Sequence, residues 1–147
     1  SAKVREKLYT KIISNALSYG IGSTGAAEID EIGIIPATKL AMLEALSQLD
    51  PQAQYLLIDG RIVLKTTPLP QQALIRGDSK SLSIASASIL AKVTRDRLMI
   101  DMDVDFPAYG FARHKGYGTE FHRDAILRLG PIPEHRYSFA PIRTTLL

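Results

Sequence analysis

The chain has 147 residues, 46% of them hydrophobic and 22% charged, with a mean hydropathy of +0.03, which is one globular domain's worth of core and excludes disorder. Lys and Arg outnumber Asp and Glu by 18 to 15, giving a net charge of +3 and a pI of about 9.2, so an anionic partner is permitted without being demanded. The absence of cysteine excludes disulfide frameworks and thiol chemistry, and no apolar run approaches the roughly 18 residues of a membrane helix, so a cytoplasmic setting without a membrane partner is expected.

The chain opens at Ser1-Ala2-Lys3 without an initiator Met, and the expectation is that residues precede Ser1 in the full protein. Val4, Leu8 and Ile12 recur every four residues, with Tyr9, Ile13 and Leu17 on the adjoining stripe. That spacing predicts an amphipathic helix from Lys3 to Ser18, with Gly20 just past its end. The small residues from Tyr19 to Ala27 read as a weak strand, and Glu28 to Gly33 as an acidic connection. A second helix is predicted from Ile34 to Leu49, ended by Asp50-Pro51. Tyr55-Leu56-Leu57-Ile58 is a continuous apolar run closed by Asp59-Gly60, the pattern of a buried strand.

Pro68 and Pro70 make Thr66 to Gln71 a loop. Ala73-Leu74-Ile75 reads as a short strand closed by Arg76-Gly77-Asp78. A long helix follows from Leu82 to Met102, and Asp105-Phe106-Pro107 stops it. Tyr109 to Gly118 is a basic, Gly-rich loop, Thr119 to Leu129 a short helix, and Ile132 to Leu147 irregular. Strands alternating with helices indicate an α/β layer fold. Charge is uneven along it. Residues 1–58 hold five Lys or Arg against six Asp or Glu, and residues 59–147 hold thirteen against nine.

The aspartates Asp59 and Asp78 each follow an apolar strand, and the carboxyl edge of a sheet is where open α/β folds gather their sites. Two carboxylates there can share a hard divalent cation, or each can simply form a turn beside its glycine. The hydroxyls of Asp78-Ser79-Lys80-Ser81 can cap the long helix, and Arg76 and Lys80 beside that terminus can hold a phosphate. His114-Lys115-Gly116-Tyr117-Gly118 mixes cations, glycines and an aromatic, a combination that suits a sugar–phosphate backbone and a ring on a ribose or base and equally suits a solvated loop. The spacing of His114, His122 and His135 matches no zinc motif. Asp101, Asp103 and Asp105 lack the Gly and Glu of a calcium loop and read as a solvated helix end.

Four segments carry a resemblance: YLLIDG at Tyr55–Gly60, RGDSKSLSIASASILAKVTRDR at Arg76–Arg97, FPAYGFARHKGYGTEFH at Phe106–His122, and GPIPEHRYSFAPIR at Gly130–Arg143. Together they resemble ribonuclease HII, the bacterial type 2 ribonuclease H, over essentially the whole chain. The resemblance implies a single ribonuclease HII-like domain over residues 1–147, N-terminally truncated. Its expected fold is a ribonuclease H-like mixed sheet with flanking helices, without the first strands and with a C-terminal helical and loop segment.

The implied function is an endonuclease that cuts the RNA strand of RNA/DNA hybrids, and duplex DNA at embedded ribonucleotides, leaving 3′-hydroxyl and 5′-phosphate ends. The family holds Mg²⁺ or Mn²⁺ with four carboxylates, of which Asp59 and Asp78 match two. The other two stand in a D-E-x-G-R-G motif that this sequence lacks. Asp30-Glu31 aligns instead with an internal loop of the family. By the same resemblance Tyr117 packs at the RNA–DNA junction, while Arg76, Lys80, Lys92, Arg95, His114 and Lys115 are backbone-contact candidates by charge and position. The expectation is a chain that is inactive or impaired alone, and that either needs the absent segment or self-associates. The alternative is a non-catalytic nucleic-acid-binding fragment.

Overall fold

Local sequence dictates eleven elements among the described residues of the computed structural model, which are 1–140 and 142–145. They are helices α1 (Ala2–Asn15), α2 (Ala26–Ile32) and α3 (Ile34–Ser47), strands β1 (Leu56–Asp59) and β2 (Gln71–Leu74), a single 3₁₀ turn (Gly77–Ser79), the long α4 (Leu82–Asp105), a second 3₁₀ turn (Pro107–Tyr109), and helices α5 (Phe111–His114), α6 (Glu120–Leu129) and α7 (Ile142–Thr145). They divide into two compact units, Ser1–Ser23 with Thr38–Val93, and Thr24–Ala37 with Thr94–Leu147.

In the first unit β1 and β2 pair in parallel, with Leu56 opposite Gln71 and Asp59 opposite Leu74. Parallel strands need a crossover, commonly a helix. Here it is a loop pinned by one side chain. The Gln71 amide accepts from the Leu64 N–H at 2.8 Å and donates to the Leu64 carbonyl at 2.9 Å, while the Leu64 side chain is buried.

Of the segment read as a strand from Tyr19 to Ala27, residues 19–25 pair with no described strand, and Ala26 and Ala27 open α2. The segment's backbone is satisfied by side chains of α3. Gln48 bonds both the N–H and the carbonyl of Ile21, at 3.1 and 2.9 Å, and Glu44 accepts from the Ser23 N–H at 2.8 Å. Gly20 is therefore a close-approach residue rather than a helix terminator: a Cβ there would stand 2.0 Å from the Ala45 carbonyl oxygen. The first helix ends at Asn15, earlier than the apolar spacing predicts.

In the second unit the acidic stretch expected as a connection is the helix α2, which buries Ile29. Asp30 on it accepts from the backbone N–H groups of Tyr137 and Ser138, at 2.6 and 3.0 Å, and from the Ser138 hydroxyl. The core of this unit gathers Met99, Tyr109, Phe111, Ala125, Ile126, Ile132 and Ile142. Tyr109 and Phe111 stack at 5.5 Å, and the Tyr109 hydroxyl donates to the Gly130 carbonyl at 2.6 Å. The tail predicted as irregular closes with α7, and Pro141, Leu146 and Leu147 lie outside the described residues. No described helix is long and apolar enough to cross a membrane.

Candidate functional site

β1 delivers Asp59 as its last residue, and β2 leads through Ile75 into the turn that carries Asp78. One hydrogen bond joins the two places. The Gly77 N–H donates to Asp59 Oδ1 at 2.8 Å. Arg76 makes the corner in the left-handed region at φ 54°, a conformation that side chains with a Cβ adopt rarely. Gly77 follows because the corner is crowded: a Cβ would lie 2.5 Å from Ile84 Cδ1 and 3.2 Å from Asp59 Oδ1. The Ser81 hydroxyl accepts from the Ile84 N–H at 3.4 Å, so the hydroxyl at this helix start does cap, as its residue type favours.

Asp59, Asp78, Arg76 and Lys80 are all exposed. Carboxylate oxygens are the donors that Mg²⁺ or Mn²⁺ prefers, so the two aspartates fit such an ion in kind. They do not fit in number. Among the described residues no group of three or more His, Cys, Asp or Glu is arranged to hold a metal ion.

The basic loop lies in the second unit and is more ordered by its own bonds than its glycines suggest. α5 ends at His114, its capping residue Lys115 is left-handed at φ 53°, and Gly116 continues at φ +79°. A Cβ on Gly116 would meet Arg95 Nη2 and Met99 Sδ, both at 3.1 Å. Arg95 therefore lies against the loop, and its burial, followed by repulsion from Arg136, holds its pKa below the ordinary guanidinium value. The Lys115 ammonium turns back to donate to the Ala112 carbonyl. The Tyr117 ring is 63% exposed, and Lys92 is half-buried on α4. Asp103, read as solvated, accepts from the Ala112 N–H at 3.0 Å and braces the same loop.

His114 is buried. Its Nε2 lies 2.8 Å from the Tyr109 carbonyl, and its Nδ1 accepts from the Gly116 N–H at 3.2 Å, so both ring nitrogens are committed inside the protein. His122 and His135 are buried beside it. His114 stacks on His122 at 4.2 Å and 16°, and His122 Nε2 lies 3.1 Å from His135 Nε2. Sequence spacing alone hides this cluster, because residues 114, 122 and 135 meet only through the turns between them. One signal was available: His122 shares the buried face of α6 with Ala125 and Ile126, at the i, i+3, i+4 spacing of a helix stripe.

Comparison with known proteins places the chain in a family. The family model for ribonuclease HII matches residues 1–142. Ribonuclease HII of Syntrophotalea carbinolica is 56% identical over 146 residues, covering 99% of this chain and 69% of that protein. The Chloroflexus aurantiacus protein is 53% identical, with 100% and 69% covered, and the Geobacillus kaustophilus protein 54%, with 97% and 54% covered. The chain thus spans about half to two-thirds of the length of these relatives. A crystal structure of ribonuclease H2 from Pyrococcus horikoshii superposes with a TM-score of 0.81 at 23% identity, covering 98% of this chain and 75% of that one, a likeness of fold. With the family model matching nearly its whole length, this chain belongs to the ribonuclease HII family.

Proposed function

We propose that this chain is the duplex-binding portion of a ribonuclease HII endonuclease, together with half of its metal-binding carboxylates. Tyr117 packs against the RNA–DNA junction of a hybrid, or of duplex DNA carrying a ribonucleotide. Arg76, Lys80, Lys92, Arg95 and Lys115 supply positive charge to the phosphate backbone, the term that dominates nucleic-acid affinity. His114, buried and internally bonded, supports the loop rather than touching phosphate. Asp59 and Asp78 are the metal-facing carboxylates for Mg²⁺ or Mn²⁺. A cytoplasmic setting follows from this reading.

The observation that supports the reading is the hydrogen bond from the Gly77 N–H to Asp59 Oδ1, because it holds the Asp59 carboxylate against the turn whose next residue is Asp78. With only this pair, cleavage to 3′-hydroxyl and 5′-phosphate ends needs carboxylates from outside these 147 residues. Alone, the chain binds and does not cut.

The test is fluorescence anisotropy with a duplex carrying one ribonucleotide and its all-DNA counterpart. The ribonucleotide duplex should bind more tightly, and Tyr117→Ala should weaken it by about tenfold, the scale of one lost stacking contact. Equal binding of both duplexes, unaffected by Tyr117→Ala, would contradict the reading.

A further inference from the structure

The three buried histidines flank the loop that carries Tyr117, and duplex binding as argued so far leaves His122 and His135 without a task. We propose that His122, backed by His135, is a positioning residue for Tyr117: a neutral, hydrogen-bonded histidine pair fixes the Tyr117 peptide and thereby where its exposed ring stands against the duplex. This inference rests on the role given to Tyr117 above.

Backbone partners decide the protonation of each ring. His135 Nδ1 accepts from the Ile132 N–H at 3.0 Å, so its proton is on Nε2. That proton points at His122 Nε2, 3.1 Å away, which must therefore accept. His122 then carries its proton on Nδ1 and donates it to the Tyr117 carbonyl at 3.0 Å. By the same logic His114, which accepts from Gly116 at Nδ1, donates from Nε2 to the Tyr109 carbonyl. A neutral imidazole has one donor and one acceptor nitrogen, and this assignment uses each of the six ring nitrogens once. An aliphatic side chain of equal volume at His135 would leave the Ile132 N–H without an acceptor, a costly state when buried, and one at His122 would remove a donor from the Tyr117 carbonyl.

The relay ends on one peptide. The Tyr117 N–H donates to the His114 carbonyl at 2.9 Å, and its carbonyl also accepts from the Thr119 N–H at 2.8 Å. His122 is the side chain that completes this clamp. Its ring is held in turn by the stacked His114 and by Phe111, edge-on at 5.5 Å and 75°. The backbone of Tyr117 is thus anchored in the core of the second unit, while its ring stays 63% exposed.

The test combines His122→Ala, His122→Asn, Tyr117→Ala and the double variant His122→Ala/Tyr117→Ala, each assayed for affinity to the ribonucleotide-containing duplex and for melting temperature. The Asn amide places an N–H near the position of Nδ1 and keeps the donor to Tyr117. His122→Ala should weaken binding about as much as Tyr117→Ala, roughly tenfold, the double variant should lose no more, and His122→Asn should recover most of the affinity. Losses that multiply in the double variant, or a lowered melting temperature with unchanged affinity, would reduce His122 to packing and overturn the proposal. A loss with Tyr117→Ala and none with His122→Ala overturns the positioning role alone, whereas no loss with Tyr117→Ala overturns its assigned contact as well. Long-range ¹⁵N imidazole spectra of the unaltered protein at pH 7 give an independent reading: a proton on Nδ1 of His122 and Nε2 of His135 is expected, and the reverse pattern or a charged ring would contradict the relay.

Discussion

The Nε2 atoms of His122 and His135 face each other at 3.1 Å, a separation at which one must donate and the other accept. Two protons there would repel. Burial, aided by the neighbouring histidines, holds the pKa of both His122 and His135 below the ordinary 6.5.

A pH dependence of stability follows with a definite sign. Unfolded histidine takes up a proton below about pH 6.5, while the folded pair resists it, so protonation favours the unfolded chain. The contribution is fully present above pH 6.5 and is lost as the pH falls toward the folded values. Asp30 acts lower on the scale: the Ser138 hydroxyl, then the backbone of Ser138 and Tyr137, hold it below the ordinary 3.8. Its contribution is present above that value and disappears beneath it. Urea midpoints should therefore fall between pH 7.5 and 5.5, and His122→Asn should flatten that fall. A midpoint independent of pH over this range would contradict the neutral pair.

Gly77→Ala should be destabilising by about 1–3 kcal/mol, as overpacking of a filled site generally is. The new methyl would press on Ile84 Cδ1 and the Asp59 carboxylate, so Asp59 should also be displaced from its corner. Chemical denaturation checks the first effect. A stability equal to that of the parent would mean that the corner is looser than its distances indicate.

Thr119 caps α6, its hydroxyl accepting from the His122 N–H at 3.3 Å. Thr119→Ala should cost about 1 kcal/mol, and Thr119→Ser should cost much less. Denaturation of the two variants side by side separates the lost hydrogen bond from the lost methyl group.

Phosphate contacts are read from salt. If Arg76 meets the backbone of the duplex, Arg76→Gln should lower the slope of log affinity against log salt by about 0.9 and weaken the ribonucleotide and all-DNA duplexes alike. An unchanged slope would remove Arg76 from the interface.

The apolar run before Asp59 makes β1 legible in the sequence, and the Ser-rich start of α4 is legible as a capped helix, but β2 is legible only in part: it begins at Gln71, in the stretch read as a loop, and ends before Ile75. The extended segment around Ile21 was misleading because its hydrogen-bond partners are the side chains of Glu44 and Gln48, which no local pattern announces. α2 escaped because seven residues with three acids show little apolar periodicity, and it buries only Ile29. The aspartates were found through strand-end logic, whereas the link between them depends on a backbone N–H that sequence does not display. The spacing of the three histidines gives no sign that they meet. Their meeting is made by the turns at Gly116 and Gly130, both at positive φ, that bring the loop, α6 and the tail together.

The central claim is that these 147 residues bind the duplex with half of a carboxylate set. Its most direct measurement is cleavage of a labelled duplex carrying one ribonucleotide by the purified chain in Mg²⁺ and in Mn²⁺, beside Asp59→Asn. The account predicts a salt-sensitive complex and no metal-dependent cut from either protein. Metal-dependent cutting at the ribonucleotide that Asp59→Asn abolishes would contradict it.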